Sequence, residues 1–385
     1  MKQIYLDHNA TTPLRKEVLD AMMPYLTEEY GNASSMHTKG QNARKAVEAS
    51  REIIGNALGT EPVDIIFTSG GTESDNFAIK GVCMANIDKG RHIITSMVEH
   101  SAVLDTCKFA EEELGFEVTY LPVDKYGVVD MQALKDSIRK DTVLISIMFA
   151  NNEIGTIQPI KEIGGIAKKN GIYFHTDAVQ ALGKEDVDVE GLGIDLCSFS
   201  AHKLNGPKGV GAIYIRKGVK IMPFQAGGHQ ERKKRAGTLN VPGIVGFGKA
   251  VEIAKRDVKN NNKHLEKLTK RLWDGLNKQL KELYLNGHPD NRLSNTLNIS
   301  FRYVEGESLL LNFDLKGIFA STGSACTSGS LEPSHVLIAM GVPPEVSQGS
   351  IRFSFGYENT IEEVDYCLAE IPPIVNKLRE MSPLC

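Results

Sequence analysis

The chain has 385 residues, and its 44 lysines and arginines against 48 aspartates and glutamates give a formal net charge of −4. That length exceeds what one hydrophobic core usually supports, so we expect at least two domains. The near-balanced charge argues against a protein that binds nucleic acid or an anionic membrane through its overall field. The opening residues lack a targeting leader and no apolar run approaches a membrane span, which predicts a cytoplasmic protein without membrane contact.

Between residues 60 and 220, short apolar runs alternate with amphipathic segments, which predicts an α/β domain with a largely parallel sheet. Helices are expected between the strands, two of them ending at Gly115 and Gly171. The predicted strands are 65–69, 92–96, 118–123, 142–150, 172–179, 195–201 and 210–217.

From residue 241 to about 283 the sequence is rich in charge and periodic like a helix, without a strand signal. We interpret this segment as a long helix that connects two domains, and leave open a break near Asn260. Two further strands, TLNISF and SIRFSFG, and three helices follow it, which predicts a second domain of the α+β class.

The strand at 65–69 runs directly into Gly70-Gly71-Thr72 and then a helical pattern. Free N–H groups at a helix start, next to glycine and a threonine hydroxyl, suit a phosphate group. An ordinary capped turn fits the same residues. Dinucleotide binding is disfavoured because no G-x-G-x-x-G pattern is present.

Three residues near strand ends are candidates for chemistry. Asp177 ends an apolar strand, where α/β sheets bind ligands, and needs a partner: either a protonated pyridine nitrogen or a structural salt bridge or cap. Lys203 follows another strand and is either a Schiff-base lysine or a solvated one. His100 stands at a strand-to-helix junction, where an imidazole stacks on a flat ring, shuttles a proton or caps the helix.

Two later residues complete the candidate set. Arg352 alternates with apolar neighbours on a strand, so its guanidinium either captures a carboxylate or faces solvent. Cys326 lies within STGSACTSGS, among small polar residues that form no core, which indicates an exposed, reactive thiol or a chance cysteine on a loop. The six cysteines contain no C-x-x-C pair, which argues against a zinc site or disulfide framework. The basic run at 231–235 is interpreted as a solvated loop.

These signals occur together, in order and over nearly the whole chain. The chain resembles the cysteine desulfurases of the NifS/IscS type. The GSACTS form (323–328) and the residues after it resemble the long-loop class associated with iron–sulfur cluster assembly, although Gly71 replaces a frequent alanine and Leu239 stands where a glutamate is frequent. The matching stretches are LDHNATTP (6–13), GNASSMH (31–37), SGGTESDN (69–76), EH (99–100), NNEIG (151–155), DAVQ (177–180), SAHK (200–203), RAGT (235–238), SACTS (324–328) and SIR (350–352).

The resemblance implies the pyridoxal phosphate (PLP)-dependent transferase fold of the aspartate-aminotransferase type, fold type I. We expect a large domain at 13–255 with a mainly parallel seven-stranded sheet. A smaller α+β domain is expected at 1–12 and 256–385, carrying the cysteine loop at about 321–333. A homodimer with active sites near the subunit interface is also implied.

The family's residue roles carry over by position. PLP would be bound covalently to Lys203. Its phosphate would be held by Gly71, Thr72, Ser200 and His202, with Thr238 reaching in from the partner subunit. Its ring would be held by His100, Asp177, Gln180 and Asn151. Asn151 and Arg352 would bind the substrate. Lys203 would move the Cα proton of L-cysteine, with His100 as a further catalytic residue, and Cys326 would attack the substrate sulfur, leaving L-alanine and a persulfide.

The sulfur is then expected to pass to an iron–sulfur scaffold protein of the NifU/IscU type or to another sulfur acceptor. No metal site of its own is expected, and whether Cys326 transiently ligates a shared cluster stays open. The alternatives are a selenocysteine lyase, another aminotransferase-type PLP activity, and a non-enzymatic sulfur carrier.

Overall fold

The computed structural model of the chain describes residues 2–322 and 333–382, so Cys326 and most of the predicted 321–333 loop lie outside the described residues. The strands are β1 (Ile4–Tyr5), β2 (Ile65–Thr68), β3 (His92–Ser96), β4 (Glu117–Leu121), β5 (Thr142–Ser146), β6 (Tyr173–Asp177), β7 (Leu196–Ser200), β8 (Gly211–Ile215), β9 (Leu283–Asn286), β10 (Thr296–Phe301), β11 (Ile318–Phe319) and β12 (Ser350–Ser354). The helices are α1 (Lys16–Thr27), α2 (Thr38–Leu58), α3 (Gly71–Asn86), α4 (Ser101–Leu114), α5 (Met131–Asp136), α6 (Ile160–Asn170), α7 (Val241–Gln279), α8 (Gly306–Asp314), α9 (His335–Ala339), α10 (Pro344–Ser347) and α11 (Ile361–Met381).

The largest sheet has seven strands in the order β2-β8-β7-β6-β5-β3-β4. Strand β8 runs antiparallel to both of its neighbours, and the other pairs are parallel. The prediction of a mainly parallel seven-stranded sheet is therefore confirmed. Parallel strands place their carboxyl ends at one edge, which brings the residues that follow β3, β6 and β7 together.

Helices cover both faces of this sheet. Alternate residues of β2 separate between two cores: Ile65 and Phe67 pack with residues of α2 and α7, whereas Ile66 packs with residues of α3 and α4. Successive side chains of a strand point to opposite faces of the sheet. A strand that is covered by helices on both faces therefore needs apolar residues at every position, not at alternate ones.

A second core lies under a three-stranded antiparallel sheet in the order β12-β10-β9. Leu297 and Ile299 of β10 pack there against Leu272 of α7 and Ile371 of α11. This mixed arrangement confirms the predicted α+β part of the chain. Strand β9 was missed in the sequence, because it is an edge strand of only four residues, of which Asn286 alone is fully buried.

Helix α7 is continuous over 39 residues, without a break at Asn260. Its first half places Val251 in the core of the large sheet, and its second half places Leu268 in the core of the smaller one. One helix therefore belongs to both cores. Within residues 2–322 and 333–382, none of the helices combines the length and apolar character needed to cross a bilayer.

Candidate active site

A cavity of about 310 Å³ opens where β6 and β7 end and α3 begins. Its position at the carboxyl edge of a parallel sheet is the usual place for a ligand in this class of fold. It brings together most of the site residues predicted from the sequence. The residues on its walls are Asn9, Ala10, Gly71, Thr72, Asp75, His100, Met148, Ala150, Asn152, Asp177, Val179, Gln180, Ser200, His202, Lys203 and Arg352.

The start of α3 forms one end of the cavity. The backbone N–H of Ser69 donates to Glu73 Oε2 at 2.8 Å, which holds the turn into the helix. A Cβ on Gly71 would lie only 2.7 Å from Val179 Cγ2, so glycine allows the backbone to lie this close to the wall. The first N–H groups of a helix have no partner within it, and the positive end of the helix dipole attracts anions. This end of the cavity is therefore suited to a phosphate.

Lys203 lies on a short 3₁₀ turn, Ala201–Lys203, directly after β7. Its Nζ donates to the backbone oxygens of Asn9 at 2.5 Å and Ala10 at 2.9 Å. Thr12 Oγ1 donates to the His202 oxygen at 2.7 Å and so fixes the N-terminal segment against this turn. The amine consequently lies in the cavity with its position defined.

Asp177 is buried at the end of β6, and its Oδ1 accepts a hydrogen bond from the Val179 N–H at 2.9 Å. Burial raises the pKa of this carboxyl above its ordinary value, while the charges of His100 and Lys203 act in the opposite direction. A buried carboxylate is costly without a cationic partner. Asp177 therefore provides a place for a positively charged ligand group.

Asp75, one helical turn inside α3, is a second buried carboxyl on the cavity wall that sequence reasoning missed. Its Oδ1 has no hydrogen-bond partner within the described chain and lies 3.6 Å from His175 Nε2. Burial, and next the charge of Asp177, raise the pKa of Asp75, and burial lowers the pKa of His175 to about 3. The signal was its place inside the matched stretch 69–76.

His100 is both the N-cap of α4 and part of the cavity wall. Its Nδ1 accepts from the Ala102 N–H at 3.0 Å, so a neutral ring carries its proton on Nε2. The capping alternative is thus realised, and the ring is held rigidly at the same time. A rigid imidazole at the wall is able to stack on a planar ligand.

Arg352 is only 3% exposed, which rules out the solvent-facing alternative. Its Nη2 donates to Asp7 Oδ1 at 2.7 Å and its Nη1 to the Asn152 oxygen at 3.1 Å. Its Nε has no hydrogen-bond partner in residues 2–322 and 333–382. The guanidinium is therefore oriented by two contacts and retains donor capacity for a carboxylate.

Among the described residues, two of those predicted for the site, Asn151 and Thr238, do not line the cavity. Asn151 is buried, with its Nδ2 donating to the Val98 oxygen at 2.8 Å and its Oδ1 accepting from the Glu153 N–H at 2.9 Å, and the adjacent Asn152 lines the cavity instead. Thr238 is exposed on the chain between β8 and α7. Cys326 lies outside the described residues. The roles implied for all three stay predictions.

Comparisons with known proteins agree on one family. The class-V aminotransferase family matches residues 4–367. The chain is 61% identical over 383 residues to a protein of Methanosarcina thermophila named cysteine desulfurase IscS, covering 100% of this chain and 94% of that one. It is 57% identical over 382 residues to the protein of the same name from Dictyoglomus turgidum, covering 99% and 97%.

Solved structures agree. One described as a NifS-like protein superimposes with a TM-score of 0.92 at 43% identity, covering 98% of this chain and 100% of that one. Another, SspA in complex with cysteine, gives 0.82 at 37% identity and covers 93% and 100%. These relatives favour a desulfurase over the alternative activities and over a sulfur carrier without enzymatic function, and proteins of this group depend on PLP. The chain therefore belongs to the class-V aminotransferase family and, within it, to the cysteine desulfurases of the NifS/IscS type.

Proposed function

We propose that this chain removes sulfur from L-cysteine with PLP held in the cavity at the end of β6 and β7, and passes the sulfur on through Cys326. One observation carries the proposal. A lysine amine, a buried carboxyl in need of a cation and a helix N-terminus meet in a single cavity of about 310 Å³. A lysine-bound pyridine aldehyde with a phosphate group needs these three features.

The residues present fit PLP at both ends. The start of α3, with Gly71 and Thr72, would hold the phosphate together with Ser200 and His202. The raised pKa of Asp177 reflects a buried carboxyl without a full counter-charge, which a protonated pyridine nitrogen would supply. PLP, when bound, supplies an electron sink for a carbanion at the substrate Cα.

The protein's own residues would bind the substrate and move its proton. Arg352 would bind the α-carboxylate of L-cysteine, since a guanidinium suits a planar anion. The Nζ of Lys203, once unprotonated, would take the proton from Cα. L-cysteine as substrate is supported by the SspA structure, which was solved with cysteine.

Cys326 would attack the substrate sulfur as a thiolate, forming a sulfur–sulfur bond while the carbon–sulfur bond breaks. The bonding electron pair would stay with the substrate carbon, which takes up a proton to give L-alanine. Chain reach supports this role. Ser321 pairs with Arg352 through two backbone hydrogen bonds, so the chain reaches residue 322 beside the cavity. Cys326 is five residues after Ser321, and an extended chain spans at most about 3.5 Å per residue, so the thiol has a reach of about 17 Å from this point beside the cavity.

The sulfur acceptor and the assembly state are part of the proposal. An iron–sulfur scaffold of the NifU/IscU type would accept the persulfide sulfur. A homodimer is supported by large apolar side chains on the surface around the end of α1, among them Tyr30 at 75% and Met36 at 88% exposure. The exposure of Thr238 agrees with a residue that serves the partner's cavity. A cytoplasmic location is supported by the free thiols of Cys83, Cys107, Cys197 and Cys367.

The test is chemical trapping of the cofactor. We expect the purified protein with PLP to be yellow, to lose this colour on borohydride reduction, and to yield a modified peptide that contains Lys203. The Cys326→Ala variant should keep the colour and the modification but release no sulfide from L-cysteine. A colourless preparation that takes up no PLP, or modification at another lysine, would overturn the proposal.

A further inference from the structure

Lys184 lies behind the active-site cavity, in the loop between β6 and β7. It lines two neighbouring cavities, an open one of about 410 Å³ against α7 and a small one that also includes Lys203. Its Nζ donates a hydrogen bond to Gln180 Oε1 at 2.9 Å. Burial lowers the pKa of this ammonium group to about 7, and the charges of Lys203 and Arg352 contribute in the same direction. A half-buried lysine beside two other cations is costly and calls for an explanation.

The side-chain amide of Gln180 has its orientation set from two sides. Its Nε2 donates to the Asn9 oxygen at 3.0 Å, the same carbonyl that accepts from Lys203 Nζ at 2.5 Å. An ammonium group only donates and a carbonyl only accepts. Flipping the amide would set donor against donor at Lys184 and acceptor against acceptor at Asn9. The Gln180 NH₂ group is thereby held on the side of the cavity and of Lys203.

We propose that Lys184 is a positioning residue for the reaction, acting through Gln180 to present that amide NH₂ as a donor to the cofactor ring. The inference rests on the proposed function, in which Gln180 binds the phenolic oxygen of PLP. Lys184 itself does not line the active-site cavity and acts only through the Gln180 amide. Without it, only the Asn9 carbonyl holds the amide, so the amide turns its oxygen toward the ring more readily, where two acceptors would oppose each other.

The test is a double-mutant cycle on the holoenzyme with Lys184→Met, Gln180→Ala and the combined variant. We expect Lys184→Met to shift the visible absorption band of bound PLP and to lower kcat with L-cysteine by about tenfold to a hundredfold, the usual size of such indirect effects. Because Lys184 acts through Gln180, adding Lys184→Met to Gln180→Ala should change neither the band nor kcat further. Lys184→Arg keeps donors at this position and should restore part of the wild-type band.

The matched control is Lys259→Met, because Lys259 is an exposed lysine on the same open cavity. Its band and kcat should equal those of the wild type. If Lys184→Met does not fold, Lys184→Ala takes its place in the cycle. An unchanged band and rate in the Lys184 variant, or additive effects in the combined variant, would overturn the inference. Failure of the proposed function is distinct, since then the wild type itself would take up no PLP or release no sulfide.

Discussion

At the scale of single residues, Glu99 is a carboxyl beside the site whose burial decides its protonation state. Its Oε1 accepts from Ser96 Oγ at 2.6 Å and from the Met148 N–H at 2.9 Å, while its Oε2 has no hydrogen-bond partner among the residues described. Burial raises the pKa of Glu99 from 4.5 to about 8. The protonated form is therefore favoured in the folded protein, directly before His100 in the chain.

The sign of the resulting pH dependence follows from linkage. The pKa is higher in the folded state, so the contribution of Glu99 to stability is complete below pH 4.5 and is lost as the pH rises through about 8. Glutamine keeps the carbonyl acceptor and does not ionise. We expect the stability of Glu99→Gln relative to the wild type to increase between about pH 5 and pH 8, approaching about 1.4 kcal/mol per pH unit. Thermal melting of both proteins across this range measures it, and a difference independent of pH would contradict the assignment.

Some residues of the site could be predicted from the sequence, and others could not. Lys203, Asp177 and His100 were found because each ends or follows a strand, and strand ends meet in the fold. Asp75 was not predicted, because the side of α3 that faces the cavity depends on how the helix packs. The choice between Asn151 and Asn152 depends on one step of register in a turn, which residue type alone does not reveal.

At the scale of elements, the start of α3 is the proposed phosphate end of the cavity, and we expect cofactor retention to depend on it. Gly71 lies against Val179, the second residue after β6, and a Cβ there would lie 2.7 Å from Val179 Cγ2. The helix start and the loop after β6 are thus packed together without space for a methyl group.

This contact gives a prediction for Gly71→Ala. We expect the methyl group to push the helix start and Val179 apart, and the dissociation constant for PLP to rise about tenfold, the size typical of mild overpacking. Val179→Ala removes the opposing methyl groups, so the combined variant should recover most of the affinity. Titration of the apo forms with PLP measures this. Equal affinity in wild type and Gly71→Ala would show that Val179 makes room for the methyl group and would contradict this prediction.

Most elements could be predicted from the sequence, and some ends agree, as for β3 at 92–96, but others do not. The predicted strands at 142–150 and 172–179 stop earlier, at Ser146 and Asp177, because the chain there leaves the sheet to build the cavity wall. The apolar composition continues past both ends, since the wall residues are buried as well. Composition therefore reports burial, and hydrogen bonding decides where a strand ends.

At the scale of the whole molecule, α7 couples the two cores. Its 39 residues run without a break from the core that contains Val251 to the core that contains Leu268. The predicted boundary between the large and the small domain, between residues 255 and 256, falls inside this helix and stays a prediction. Unfolding of either core therefore has to disturb a helix that the other core also needs.

Asn260 is exposed near the middle of α7, so a proline there tests this coupling without touching either core. Proline in a helix interior costs about 3 kcal/mol, from the lost hydrogen bond and the clash with the preceding turn. We expect Asn260→Pro to separate unfolding into two calorimetric transitions, whereas Asn260→Ala should keep the wild-type profile. A single transition at the wild-type temperature in the proline variant would show that the cores are not coupled through α7.

The central claim is that sulfur leaves L-cysteine and arrives on Cys326, and mass spectrometry of the protein after exposure to L-cysteine tests it most directly. We predict one additional sulfur atom per chain, located on the peptide that contains Cys326, removed by a thiol reductant and absent from Cys326→Ala. L-serine, which has no sulfur to give, should leave the mass unchanged. Additional sulfur on any other cysteine, or none while sulfide is being released, would contradict the account.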